Sequence, residues 1–213
     1  MQGRDKLFIP ILDRPLLLYC MEAFERSPHI DCISVATAPG SVTRVRELAS
    51  DHGISKVVSV VPGGVRRQDS VANALNSLGG VDIVMIHDGA RPFVDDAIIE
   101  RAVDAARESG AATAAVPVKD TIKVASPDMT VASTPRRDTL WAAQTPQSFD
   151  PDLLLEAHRT ISDDVTDDAA MVEMLGRPVK IFMGSHHNIK VTTPEDIPVA
   201  EAIARARHEA PPA

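Results

Sequence analysis

Ile83-Val84-Met85-Ile86-His87-Asp88-Gly89-Ala90-Arg91-Pro92 is the stretch from which the fold can be read. An apolar run enters a polar, glycine-containing turn, and a helical pattern follows from Asp95 to Ser109. A run this short, closed by a turn and followed by a helix, reads as a buried strand of a sheet covered on both faces. The turn then lies at the carboxyl end of a central strand, where open α/β sheets bind their ligands.

The same alternation extends in both directions. Strand-like runs occupy Cys32 to Ala36, Val57 to Val61, Ala112 to Val116 and Val179 to Met183. Helical periods fall near Pro15 to Glu25, Ser41 to His52, Asp69 to Leu78, Pro151 to Arg159, Asp167 to Leu175 and Pro194 to Arg207. This is the pattern of an α/β fold with a mostly parallel, doubly wound, Rossmann-like sheet. From about residue 118 to 140 the rhythm breaks. Thr121-Ile122-Lys123-Val124 and Thr130-Val131-Ala132-Ser133, joined through Ser126-Pro127-Asp128, predict a protruding hairpin arm. No repeat or linker divides the chain, so residues 1–213 are expected to form one domain carrying that arm. A doubly wound nucleotide domain normally opens with a buried strand and a glycine-rich turn, whereas here only Gly3 precedes the first helix. The expectation is that a first strand and part of a phosphate loop are missing from this sequence.

With 213 residues, 44% hydrophobic and 24% charged, the chain can bury a sizeable core and is not expected to be disordered. Lys+Arg 22 against Asp+Glu 30 leaves a net charge of −8, which argues against nucleic acid or an anionic membrane as partner. An anionic ligand must therefore meet a local cluster of cations. Cys20 and Cys32 cannot build a disulfide framework or a cysteine zinc site, which suits a reducing cytoplasm. The apolar stretch Leu7 to Leu12 is too short for a signal segment or a membrane span.

The chemistry-bearing residues lie in the loops. Asp88 can give a hard oxygen to Mg²⁺ and Arg91 can fork onto phosphate, or the two can simply pair with each other. Gly63-Gly64-Val65-Arg66-Arg67-Gln68-Asp69-Ser70 follows a strand and enters a helix. Its glycines allow backbone to approach a ligand, and a turn with a capping residue explains it equally well. Lys190, in Asn188-Ile189-Lys190-Val191-Thr192, is a compact charge suited to a transferring phosphoryl group, or else a solvated lysine. Arg136 and Arg137 sit at the base of the arm, either in a salt-bridged hairpin with Trp141 as a core anchor or as a second phosphate site. Walker, complete dinucleotide, nucleophile-elbow and H-E-x-x-H signatures are missing, which removes kinase, dehydrogenase, serine hydrolase and zinc protease readings. His186 and His187 are adjacent and lack metal-ligand spacing.

Arg4-Asp5-Lys6, the Gly63 to Val71 stretch, His87 to Pro92, Pro117-Val118-Lys119-Asp120-Thr121-Ile122-Lys123, Gln144-Thr145-Pro146-Gln147, Thr166-Asp167-Asp168-Ala169 and Asn188 to Thr192 occur in this order along nearly the whole chain. The ordered set resembles the 2-C-methyl-D-erythritol 4-phosphate cytidylyltransferase family. That resemblance implies a homodimeric, Mg²⁺-dependent nucleotidyltransferase taking CTP and a sugar-alcohol phosphate. It implies that Lys6 and Lys190 contact phosphates around the reacting α-phosphorus, and that Asp88 serves metal and substrate. Gly63, Gly64, Asp69 and Ser70 would form the cytidine pocket. Arg91, Thr121, Arg137, Thr145 and Thr166 would lie on the substrate side, with the arm reaching into the other subunit's site. The family often carries an acidic residue where this chain has His186 and His187, so no metal role is transferred there. A ribitol-5-phosphate cytidylyltransferase is the nearest alternative, and a truncated nucleotide-binding relative without catalysis is the other.

Overall fold

A 3-10 turn, Lys6–Phe8, opens the computed structural model, which describes residues 6–209, with side chains for 7–207. Then come β1 (Pro10–Ile11), β2 (Arg14–Pro15), α1 (Leu16–Arg26), β3 (Ile33–Thr37), α2 (Val42–Asp51), β4 (Val57–Pro62), α3 (Arg67–Leu75) and β5 (Val84–Ile86). The second half runs α4 (Asp96–Ser109), β6 (Ala111–Pro117), β7 (Val124–Ala125), β8 (Val131–Ser133), β9 (Trp141–Phe149), α5 (Pro151–Thr160), α6 (Asp168–Met174), β10 (Lys180–Met183) and α7 (Asp196–Glu209). The expected strands and helices are all present, with ends shifted by a few residues. The arm is the β7–β8 hairpin, narrower than the two runs read for it and turned through Ser126 to Met129.

Local chemistry explains the punctuation. Asp95 precedes α4 and accepts the Ile98 N–H at 2.9 Å, and Gly110 ends that helix at φ 76°, a left-handed position that glycine adopts without strain. Asp150 before Pro151 and Asp167 before Asp168 start α5 and α6 in the same way. The sheet residues alternate between two layers, as a strand's period of two requires. Val84 and Ala111 pack with Phe149, Leu154 and Met171, whereas Met85, Ala112 and Ala114 pack with Ile98, Ile99 and Ala102.

The main departure from expectation is β9. It is nine residues long, lies between β5 and β6, and runs antiparallel to both, while β10 lies parallel beside β6. Its interior is polar: Gln144, Thr145, Gln147 and Ser148 are all buried. Such a strand carries no apolar alternation to read. Gln147 instead bonds Thr113 Oγ1 at 3.0 Å and Asp167 Oδ2 at 2.9 Å, and Gln144 donates to the Ser185 carbonyl at 2.9 Å. Buried polar groups are tolerated when paired in this way.

The sheet is also divided. Parallel β3 and β4 form one pair, β5, β9, β6 and β10 form another sheet, and among the described residues no ladder joins β3 to β5. A cavity of about 670 Å³ lies between them, lined by Ile33 and Val35 on one side and Val84 and Ile86 on the other. Helices α1 and α3 close it, through Leu17 and Met21 above and Val71 and Leu75 below. Arg67, Ser70 and Asp88 stand in its lining too, so the cavity reaches the carboxyl edge of β5. The front-end expectation falls on Met1 to Asp5, including Gly3, which lie outside the described residues.

Candidate active site

Asp88 is the first turn residue but one after β5, and three cations surround its carboxylate. Lys190 Nζ lies 2.9 Å from Oδ2, Arg91 Nε 3.7 Å from Oδ2 and Arg67 Nε 3.6 Å from Oδ1. These residues arrive from three places in the chain: the start of α3, the turn after β5 and the loop before α7. Burial works against ionisation of Asp88, but the Lys190 hydrogen bond and charge, then Arg67 and Arg91, outweigh it, so its pKa lies below the usual carboxylate value. Lys190 is the open member, with 44% of its side chain exposed against 12% for Arg91. Arg91 Nη1 also donates to the Asn188 carbonyl at 2.9 Å. Of the two alternatives read for Arg91, pairing with Asp88 describes it better than an open phosphate fork.

A buried network holds this turn. The Asp88 backbone N–H donates to Thr145 Oγ1 at 3.0 Å, which leaves the Thr145 hydroxyl proton for His87 Nδ1 at 3.1 Å. His87 Nε2–H then donates to the Arg91 carbonyl at 3.0 Å, an oxygen that also accepts from the Cys20 thiol at 3.2 Å. Burial drives the His87 pKa down to about 4, and the neutral ring fits these partners. Asn188 Nδ2 donates to the Thr145 carbonyl at 2.7 Å, tying β9 to the Lys190 loop. Thr145 is therefore 4% exposed and supports the turn from behind.

The Gly63–Ser70 turn forms the other wall. The Gly64 N–H donates to Ser70 Oγ at 3.0 Å, and Ser70 donates to the Arg66 carbonyl at 3.2 Å. Asp69 accepts the Arg66 N–H at 3.0 Å and its guanidinium at 2.7 Å. Asp69 and Ser70 thus shape the turn they stand in, and Ser70 also faces the cavity. Gly64 is needed for close approach: a Cβ there would stand 2.2 Å from the Asp69 Cβ.

The remaining expected residues are not gathered here. Thr121 and Arg137 are exposed on the arm, where Arg137 Nη1 donates to the Lys119 carbonyl at 2.8 Å. Arg136 pairs with Asp138, as in the salt-bridged alternative, and Trp141 is 39% exposed and so is no core anchor. Thr166 is exposed, two residues before buried Asp168. The Lys6 side chain lies outside the described residues, although its neighbour Leu7 lines the cavity. Reading the sequence gave no role to Arg67, His87, Gln147, Asp168 or Asn188. All of them stand inside the quoted motifs, which was the available signal.

Among the described residues no group of three or more His, Cys, Asp or Glu side chains could hold a metal ion, and no helix is long and apolar enough to cross a membrane. A family profile described as IspD, 2-C-methyl-D-erythritol 4-phosphate cytidylyltransferase, matches residues 1–206. Proteins of that description from Dehalococcoides mccartyi and Alkaliphilus oremlandii are 42% and 45% identical, with 96% and 97% of this chain and 90% and 91% of theirs aligned. The solved 4-diphosphocytidyl-2C-methyl-D-erythritol synthase of Anaerococcus prevotii is 30% identical with a TM-score of 0.85 over 92% of this chain and 88% of that one. The Thermus thermophilus cytidylyltransferase structure is 34% identical with a TM-score of 0.80 over 94% of each chain.

Proposed function

This chain belongs to the 2-C-methyl-D-erythritol 4-phosphate cytidylyltransferase family, and from that premise we propose how its residues divide the work of the reaction. It is a nucleotidyltransferase of non-mevalonate isoprenoid biosynthesis. It makes 4-diphosphocytidyl-2-C-methyl-D-erythritol and pyrophosphate from CTP and 2-C-methyl-D-erythritol 4-phosphate. An oxygen of the sugar phosphate bonds to the α-phosphorus of CTP while the bond from that phosphorus to the β-phosphate bridge breaks. The attacking phosphate is already an anion near neutral pH, so an activated Ser, Cys or His is unnecessary. The work is to bring two anions together and stabilise added charge.

The observation that carries the assignment is the Asp88–Lys190 contact of 2.9 Å at the carboxyl end of β5, with two arginines beside it. Lys190, the exposed cation, swings from Asp88 to the phosphates when they arrive, and Lys6 joins it at the α-phosphorus. Gly63, Gly64, Asp69 and Ser70 shape the cytidine pocket at the mouth of the cavity. Arg91 and Thr145 hold the substrate wall, and Thr166 borders it. Mg²⁺ fits this donor set as an ion brought with the nucleotide. Asp88 would hold it through its one ionised carboxylate, since Mg²⁺ is commonly bound by one or two carboxylates together with substrate phosphates. When bound, it neutralises charge on the phosphates.

Thr121 and Arg137 point to a homodimer. They are exposed on an arm whose Val124, Met129 and Val131 are also exposed at 46%, 83% and 60%, a surface suited to cover by a second copy. In that arrangement they complete the partner's sugar-phosphate pocket. Residues 1–213 act as one nucleotidyltransferase domain, in the cytoplasm, where its charged soluble reactants are found. The test is to supply CTP and Mg²⁺ with either 2-C-methyl-D-erythritol 4-phosphate or ribitol 5-phosphate and follow pyrophosphate release. Turnover with the first and at least about tenfold less with the second supports the reading. The reverse preference overturns it.

A further inference from the structure

Asp168, the first residue of α6, is fully buried and charged, and none of the roles above uses it. Its Oδ2 accepts from Arg67 Nη1 at 2.6 Å, while its Oδ1 has no hydrogen-bond partner and faces His158 Nε2, itself buried, at 3.5 Å. The position of Asp168 is fixed by β9: Gln147 Oε1 accepts the N–H groups of both Asp168 and Ala169 at 3.1 Å. Arg67 is thus shared between two carboxylates, at hydrogen-bond distance from Asp168 and at 3.6 Å from Asp88. Burial lowers the Arg67 pKa, but the charge and hydrogen bond of Asp168, and then Asp88, more than reverse this.

Resting on the reading of Asp88 and Lys190 as the reaction centre, we propose that Asp168 is a positioning residue that tethers Arg67 and so keeps it from closing on Asp88. A guanidinium free of Asp168 would form a forked pair with the Asp88 carboxylate, because that geometry is the strongest one available to it. Both Asp88 oxygens would then be occupied, and Lys190 would lose the partner that aims it. With the tether, Arg67 supplies positive charge 3.6 Å from Oδ1 of Asp88 and leaves Oδ2 to Lys190. The order of charges is Asp168, Arg67, Asp88, Lys190, alternating in sign from the buried layer to the cavity mouth.

The test compares Asp168→Asn, Arg67→Gln and the double variant, with kcat, KM for both substrates and thermal melting measured for each. Asp168→Asn should lower kcat about 10- to 100-fold, the size of losing a hydrogen bond between charged groups, with KM for CTP changed less than about threefold. Arg67→Gln alone strands the buried Asp168 charge and should melt early. The double variant removes both charges and with them the guanidinium that would close on Asp88, so its melting temperature should return toward that of the wild type and its kcat should exceed that of Asp168→Asn by at least about threefold. A stable double variant with kcat no higher than that of Asp168→Asn would mean that no freed guanidinium closes on Asp88, and would overturn the proposal. So would a folded Asp168→Asn enzyme with kcat within about threefold of wild type. If Asp168→Asn does not fold, the double variant is compared with Arg67→Gln below the melting temperature of both: an Asp168 that acts only through Arg67 requires equal kcat within about threefold, and a larger difference would overturn the proposal. Failure of the underlying site reading is seen separately, as wild-type turnover in Asp88→Asn and Lys190→Ala.

Discussion

Lowering the pH should strip stability from this protein through one side chain, His87. Burial moves its pKa from an ordinary 6.5 down to about 4, and neutrality is required by the bonds it makes to Thr145 and Arg91. The unfolded chain binds a proton at His87 below about pH 6.5, whereas the folded chain resists it down to about pH 4. The contribution is therefore complete above the unfolded value and is lost as pH falls through the interval between the two. Over the whole interval, about 2.5 pH units, the loss is about 3 kcal/mol at about 1.4 kcal/mol per unit; between about pH 7 and pH 5 it is about 2 kcal/mol. Urea unfolding of the wild type and of His87→Gln at those two pH values isolates the effect, because the other titrating groups are common to both. The wild type should lose about 2 kcal/mol more than the variant. Equal losses, within about 0.5 kcal/mol, would refute the claim that folding depends on a neutral His87.

Other outcomes follow from the geometry of the site. Lys190→Ala should lower kcat/KM by about ten- to a few hundredfold, measured by pyrophosphate release, since it removes a charged contact to the reacting phosphates. Gly64→Ala should cost about 1–3 kcal/mol by melting and raise KM for CTP, because its Cβ would enter the first turn of α3 at Asp69. Arg137→Ala should raise KM for the sugar phosphate and leave CTP affinity nearly unchanged, as titration with each ligand would detect.

The strand runs and helices were legible because their apolar periods are strong, and the turn after β5 was legible because strand, turn and helix follow one another without interruption. β9 was not legible. Its inward side chains are Gln144, Thr145 and Gln147, whose place inside depends on partners distant in sequence such as Thr113, Asp167 and Ser185. The site divides the same way. Asp88 and Lys190 could be nominated from residue type and loop position, and they do meet. Arg67 could not be separated from Arg66 by its neighbours alone. Arg66 spends its charge on Asp69 one turn away, and Arg67 reaches Asp168 and Asp88, a choice set by which side of α3 faces the sheet.

The divided sheet bears on how this enzyme grips its ligands. The glycine turn hangs from β4 and Asp88 from β5, so the two jaws of the site belong to different leaves, with α1 and α3 as the spine. Backbone bonding stiffens each leaf internally, but among the described residues no ladder crosses the fissure; side-chain packing, the Arg67 ion pairs and the hydrogen bonds of Arg66 and Gln68 with Ser162, Asp163 and Val165 do. The width of the bite is accordingly governed by what fills the seam between the leaves.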